Sequence, residues 1–185
     1  MNDITTKLKG KIYISYFPTP YGELILGSYN SKLCLADWRY RKMRNAIDKR
    51  IQEMLQAEYT EGNSTIIDET KEQLSDYFQG KRKEFDVPLL LVGTDFQKSV
   101  WEALLQIPYG KTETYLGLSK KLGNEKAIRA IATANGANAI SILIPCHRII
   151  GSDGSLVGYA GGLSTKKKLF ELEGGMTNSQ LDLFA

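Results

Sequence analysis

At Gly93 the chain changes texture, and that change constrains the fold more than any other feature. Before it, alternating polar and apolar runs mix with two helical periodicities; after it, brief helical runs follow one another, broken by glycine and proline. Lys11 to Phe17 alternates, Pro18 to Gly22 has turn chemistry, and Glu23 to Tyr29 and Lys32 to Trp38 resume an extended pattern. Together they predict a small antiparallel meander. Arg44 to Leu55 and Thr65 to Phe78 carry apolar residues at helical spacing, the second ending at Gly80. Phe85 to Val92 predicts a further strand, kept at an edge by Pro88. In the second half Thr94 and Gln97 form a capping box ahead of one apolar face made of Phe96, Val100, Trp101, Leu104 and Leu105. Pro108-Tyr109-Gly110 stops that helix, Thr114 caps a second through Leu122, Gly123 breaks it, and Asn124 caps a third to about Ala134. A last helix runs from Ser164 to Leu172. The expectation is an α+β chain with a small N-terminal antiparallel-sheet and helix domain at 1–92, a mostly helical domain at 93–173 and a flexible tail at 174–185.

With 185 residues, 42% hydrophobic and 24% charged, the composition is that of a folded globular protein of one or two domains. The longest apolar stretches, Val87 to Val92 and Ile140 to Pro145, fall far short of the roughly 20 residues of a membrane-spanning helix. Lys7, Lys9 and Lys11 precede only the short alternating run Ile12 to Phe17, so no signal peptide is expected and the protein is expected in the cytosol. Cys34, Cys146 and His147 are all the cysteine and histidine present. Two cysteines in a cytosolic chain read as free thiols, and no four-ligand zinc set is available, so neither metal nor cofactor is expected. Any imidazole chemistry has to use His147.

The second and third helices, joined by a glycine-containing turn, form a helix-turn-helix candidate. The third carries small residues at Ala127, Ala130, Ala132 and Ala134, with Ala137 just beyond, and has Lys126 and Arg129 as its only cations. Lys111, Lys120 and Lys121 add to these against only Glu113 and Glu125, an excess suited to phosphates. Taken alone, the same pattern equally describes a close-packed helix with a solvated face.

The run Ile142 to Ile150, with Pro145-Cys146-His147-Arg148 at its centre, carries the chemistry. A cysteine among apolar residues is an inert core thiol by default, which is how Cys34 reads. Cys146 differs in having the chain's one histidine beside it, and a thiolate needs such a base or a positive potential to form near neutral pH. In an extended strand the two side chains would point to opposite faces, which favours a bridging water over a direct bond.

Pro145-Cys146-His147-Arg148, preceded by Asn138 and followed by Gly158-Tyr159-Ala160-Gly161-Gly162 and Glu173-Gly174, resembles the signature of the O6-alkylguanine-DNA alkyltransferases. The likeness runs from Phe96 to Gly174, and the first half resembles the companion domain of bacterial members. It implies a winged-helix-like DNA-binding and catalytic domain. By resemblance Cys146 is the alkyl acceptor, His147 the base acting through water, Glu173 the carboxylate that orients the imidazole, and Asn138 the brace of the turn behind the cysteine. Tyr115 corresponds to a tyrosine that helps protonate the leaving guanine and crowds the flipped nucleotide's phosphate. Arg129 corresponds to the arginine that fills the vacated stack, on a helix face formed with Lys126, Ala127 and Ala130. Ile149, Tyr159, Ala160 and Lys166 belong with Tyr115 to the substrate pocket.

The implied function is single-use repair: an alkyl group leaves O6-alkylguanine in double-stranded DNA, with O4-alkylthymine left open, and stays on the cysteine. The implied protein is a monomer. Ala132-Thr133 and Ala139 depart from the glycines and proline common in relatives, which bears on groove insertion and turn stiffness. A damaged-base binding module without repair activity is the alternative, and it lacks the acceptor that Cys146 supplies. A cysteine hydrolase is a second, and it would turn over. In the tail, Gln180-Leu181-Asp182-Leu183-Phe184 resembles the pentapeptide by which bacterial repair and replication proteins bind the polymerase sliding clamp, with Gln180, Leu181, Leu183 and Phe184 as contacts.

Overall fold

The computed structural model describes residues 10–174. Strands β1 (Gly10–Thr19), β2 (Gly22–Tyr29) and β3 (Lys32–Trp38) form the expected antiparallel meander. Thr19 closes its first turn, its hydroxyl accepting from Tyr21 N at 3.1 Å and donating to Gly22 O at 2.6 Å. At the second turn Asn30 and Ser31 both take positive φ, 47° and 57°, the paired left-handed geometry that matches strand twist. Helices α1 (Arg44–Leu55) and α2 (Thr65–Phe78) span the residues their periodicity predicts. Ser64 caps α2 by accepting from Ile67 N at 3.2 Å.

Two elements differ from expectation. Between the helices lies β4 (Ala57–Glu61), which pairs in parallel with β1 and gives a four-stranded sheet of order β3-β2-β1-β4. The sheet is therefore mixed. Phe85 to Val92 forms no strand but touches the free edge of β3 at one bridge, Leu33 to Leu89. Leu33 N donates to Pro88 O and Leu90 N to Leu33 O, both at 2.8 Å, while Pro88 has no amide with which to extend the ladder.

In the second half, α3 (Asp95–Leu105) begins at the Thr94–Gln97 capping box. It buries Val100, Trp101 and Leu104, but Phe96 and Leu105 are exposed. At 100° per residue these two lie about 90° to either side of the buried stripe, so the apolar face is narrower than the sequence suggests. Strand β5 (Glu113–Thr114) leads into α4 (Tyr115–Lys121). A 3₁₀ turn at Glu125–Ala127 precedes α5 (Ile128–Gly136), and a second at Cys146–Arg148 precedes β6 (Ile149–Ile150), which pairs in parallel with β5. Helix α6 (Leu163–Leu172) completes the described chain. Among the described residues no helix is long and apolar enough to cross a membrane.

The sheet is buried on both faces. Ile12, Ile25 and Leu35 pack on Ile47 and Ile51 of α1, while Leu24, Leu26 and Leu33 enter a cluster with Leu74 and Tyr77 of α2, Trp101 and Leu104 of α3, Ile131 of α5, and Ile144 and Ile149. At about 1.5–3 kcal/mol per fully buried aliphatic side chain, this shared core holds the two halves together.

Candidate active site

The site is assembled where α5 runs out. Asn138, 1% exposed, accepts from Ile140 N through Oδ1 at 2.9 Å; its Nδ2 donates to Ile144 O at 3.0 Å and to Cys146 Sγ at 3.2 Å. One amide thus ties the turn to the thiol. Within that turn Ile142 has φ of +74°, a left-handed conformation costly for a β-branched residue and of the kind found beside functional groups.

Four groups of the N-terminal half grip the same turn. Arg41 donates to Asn138 O at 2.9 Å and to Gly136 O, and Arg50 to Ala137 O at 2.9 Å, so guanidiniums cap the carbonyl end of α5. Ala36 N donates to Ala139 O at 2.9 Å and Ser141 N to Ala36 O at 2.7 Å. Buried Asp37 completes the frame, accepting from Arg41 at 2.9 Å, Arg44 at 3.0 Å and Ser141 Oγ at 3.1 Å.

Cys146 and His147 share the 3₁₀ turn and do not lie on an extended strand, so the opposite-face geometry does not apply. Burial pushes the Cys146 thiol pKa up, against the Asn138 hydrogen bond and the Lys166 charge. His147 is 0% exposed, and burial lowers its pKa against the pull of Glu173. Its Nε2 is 2.7 Å from Glu173 Oε1, and Nδ1 has no hydrogen-bond partner among the described residues. An ionised carboxylate only accepts, so Nε2 carries the proton and Nδ1 presents a free lone pair.

Glu173 is held by five donors. Oε1 accepts from Tyr77 Oη at 2.7 Å, from His147 and from Arg148 at 3.0 Å; Oε2 accepts from Arg148 Nε at 2.9 Å and Gly110 N at 3.0 Å. Burial would raise its pKa, but the bonds and charges from His147 and Arg148 hold it well below the usual carboxylate range. Gly110 has to be glycine: its φ is +70°, and a Cβ there would stand 2.7 Å from Glu173 O.

Tyr115 and Tyr159, both near the Cys146 sulfur, border a cleft of about 810 Å³, lined from the second half also by Ala132, Gly136 and the rest of residues 158–163, and from the first by Tyr21, Trp38, Tyr40, Arg41 and Met43 among others; Cys146 and His147 themselves are not on its lining. Ala160 thus borders it too. Tyr115 begins α4 under the Thr114 cap, with Oη 3.4 Å from Asn135 Nδ2, and its pKa is raised by burial and by the nearby Cys146 sulfur. Ile149 and Lys166, both 0% exposed, lie behind the wall instead of on it. The Lys166 ammonium donates to the carbonyls of Ile149, Val157 (2.7 Å) and Gly158 (3.3 Å), and burial lowers its pKa to about 8.

On the outer face Lys126, Arg129 and Ala130 are exposed and Ala127 is half-buried. Trp101 fixes α5 from beneath, donating to Ala134 O at 2.8 Å. Of the surrounding cations Lys121 is paired with Glu113 at 2.7 Å. Cys34 is 1% exposed, and burial pushes its thiol pKa up to about 12. Gln180, Leu181, Leu183 and Phe184 lie outside the described residues. The sequence assigns no part in the site to Tyr77, Gly110, Asp37, Arg41 or Arg50, and gives Arg148 no role beyond its place in the motif. Only the motif position of Arg148 offered a signal.

Two family models match the chain, the 6-O-methylguanine DNA methyltransferase ribonuclease-like domain over residues 12–91 and the DNA binding domain of the same name over residues 95–175. The methylated-DNA--protein-cysteine methyltransferase of Methanosarcina acetivorans is 41% identical over 163 residues, 88% of this chain and 99% of its own. That of Mycobacterium tuberculosis is 50% identical over 113 residues, 61% of this chain and 68% of its own. A crystal structure of Mycobacterium tuberculosis OGT in complex with DNA superposes with a TM-score of 0.75 at 38% identity, covering 94% of this chain and 99% of that one. Two matched halves and a relative aligned over nearly its whole length place the chain in the 6-O-methylguanine DNA methyltransferase family.

Proposed function

We propose that the protein repairs double-stranded DNA by moving the alkyl group of O6-alkylguanine onto Cys146 Sγ, once per molecule. The observation that carries this reading is the thiol bonded to Asn138 and set beside a histidine whose Nε2 is locked on Glu173 while Nδ1 keeps a free lone pair. His147 Nδ1 takes the thiol proton through a water, and Glu173 stabilises the imidazolium that results. The thiolate attacks the alkyl carbon, the carbon–oxygen bond breaks, and its electron pair leaves on the guanine oxygen. Tyr115 supplies a proton to the leaving base. The product is a thioether, which has no acyl carbon for water to attack, so the alkyl group stays.

The reacting carbon lies inside stacked DNA, and the nucleotide has to leave the stack at a cost of a few kcal/mol. Exposed Arg129 on α5 fills the space left behind, and the small residues beside it allow close approach to the minor groove. Tyr159 and Ala160 border the cleft that receives the base, and Lys166 stiffens its wall from behind. The protein acts as a cytoplasmic monomer, and the Gln180 to Phe184 segment anchors it to the polymerase sliding clamp. A damaged-base binder without transfer is disfavoured by the presence of Cys146 itself.

Intact-protein and peptide mass spectrometry after exposure to an O6-methylguanine duplex tests the reading. One methyl on Cys146 and activity ending at one equivalent are expected. Repeated turnover, or methyl on Cys34 alone, refutes it.

A further inference from the structure

The wall of the cleft behind Tyr159 comes from the N-terminal half. Trp38, the last residue of β3, is 4% exposed, and its Nε1 donates to Tyr159 Oη at 3.0 Å. The two rings meet edge-on, with centroids 6.3 Å apart and planes at 72°. Tyr159 meets His147 in the same way, again at 6.3 Å between centroids. Tyr159 therefore packs against both the His147 imidazole and the Trp38 indole. The indole also lies against the backbone of Gly161, where a Cβ would stand 2.7 Å from Trp38 Nε1 and 2.8 Å from Cε2. The loop at residues 158–162 has no room to move toward β3, and Tyr159 cannot swing away without losing the hydrogen bond of a buried hydroxyl. Widening this side of the cleft requires displacing an indole packed in the core, where density leaves little slack.

We infer that Trp38 is a specificity-determining residue, fixing the recess that receives the alkyl group so that methyl and ethyl enter freely and a benzyl group reacts slowly. This rests on the alkyl-transfer reading and extends it by assigning the size limit to a residue of the N-terminal half. Trp38 acts through Tyr159 and the loop, not on the reacting atoms. Its signature is therefore a change in discrimination, whereas a merely structural role would lower all rates together.

The full chain and its Trp38→Phe and Trp38→Ala variants are given one duplex sequence carrying either O6-methylguanine or O6-benzylguanine, and the single-turnover rate of mass gain on Cys146 is followed. The benzyl-to-methyl rate ratio is expected to rise about threefold in Trp38→Phe and about tenfold in Trp38→Ala, within the range that small changes in apolar pockets produce. An unchanged or lowered ratio in Trp38→Phe overturns the inference, even if Trp38→Ala does not fold. If the parent chain takes no alkyl group from either duplex, the transfer reading itself falls; if it does and only the ratio fails to move, the size-limit assignment alone falls.

Discussion

Replacing Arg41 with alanine removes three contacts at once. The guanidinium, 4% exposed at its side chain, bonds the buried carboxylate of Asp37 and the carbonyls of Gly136 and Asn138. Burial already raises the Asp37 pKa against the pull of Arg41 and Arg44, and the variant leaves Arg44 and Ser141 to hold it. Breaking a buried ion pair from one side costs about 3–5 kcal/mol, and two buried carbonyls losing a charged donor is consistent with the upper part of that range. For a chain of this size each kcal/mol lowers Tm by about 2–4 °C, so a drop of about 10 °C is expected. Urea unfolding measures the free energy directly. The companion variant Arg44→Ala is the control: among the described residues its side chain, 14% exposed, pairs with Asp37 and Asp48 but reaches neither turn carbonyl, and its loss leaves Arg41 on Asp37, so a smaller cost of about 1.5–3 kcal/mol is expected. The loosened turn carries Asn138, so Arg41→Ala should also slow transfer from free O6-benzylguanine at temperatures where the variant is folded. A loss no larger than that of Arg44→Ala would refute the argument that Arg41 frames the turn.

In Glu173→Gln the buried Arg148 loses its counter-charge, and a destabilisation of about 3–5 kcal/mol by urea titration is expected together with near-complete loss of transfer. Because burial lowers the His147 pKa below its ordinary 6.5, Nδ1 stays free to accept a proton through neutral pH. On acidification the transfer rate should therefore fall only below pH 6.5; an acid-side fall centred above pH 7 would contradict a neutral imidazole at rest. Arg129→Ala should slow repair in duplex DNA by about tenfold or more while leaving reaction with free O6-benzylguanine within about twofold, since only the duplex requires a base to leave the stack. Equal losses on both substrates would exclude a stacking role. Truncation after Ser179 should leave alkyl transfer unchanged and abolish binding to the cognate clamp in calorimetry; equal binding with and without the tail removes that proposal.

What the sequence made legible is what is decided locally. Helices α1 and α2 begin and end where periodicity and caps place them, and the Thr94–Gln97 box lies within one turn. Strand β4 escaped because Ala57-Glu58-Tyr59-Thr60-Glu61 is short and buries only Ala57, too little of a pattern to mark a strand; its register comes from pairing with β1. Phe85 to Val92 misled in the opposite sense, being apolar enough for a strand but meeting β3 at the proline that cannot donate. The same division runs through the site. Cys146 and His147 stand out in the sequence because the only histidine abuts a cysteine, whereas the place of Glu173 came from resemblance to a family, since no spacing rule joins residues 26 apart.

The frame around the turn was invisible for a further physical reason. Asp37, Arg41 and Arg44 lie in a stretch whose charges, counted along the chain, look like a solvated surface, yet Asp37 is wholly buried and Arg41 nearly so. With Asp48, which pairs with Arg44, the cluster balances its own charge internally, so it leaves no trace in composition or net charge. Its partners are also remote: Arg41 and Asn138 are 97 residues apart, Asp37 and Ser141 104, and Tyr77 and Glu173 96. Each of these contacts joins the N-terminal half either to the turn that carries the thiol's hydrogen-bond donor or to the carboxylate that orients the histidine. A half that reads as scaffold from its sequence therefore takes part in holding the surroundings of both Cys146 and His147. Substitutions there can alter repair without touching DNA, and the Arg41, Trp38 and Tyr77 side chains are where that coupling is concentrated.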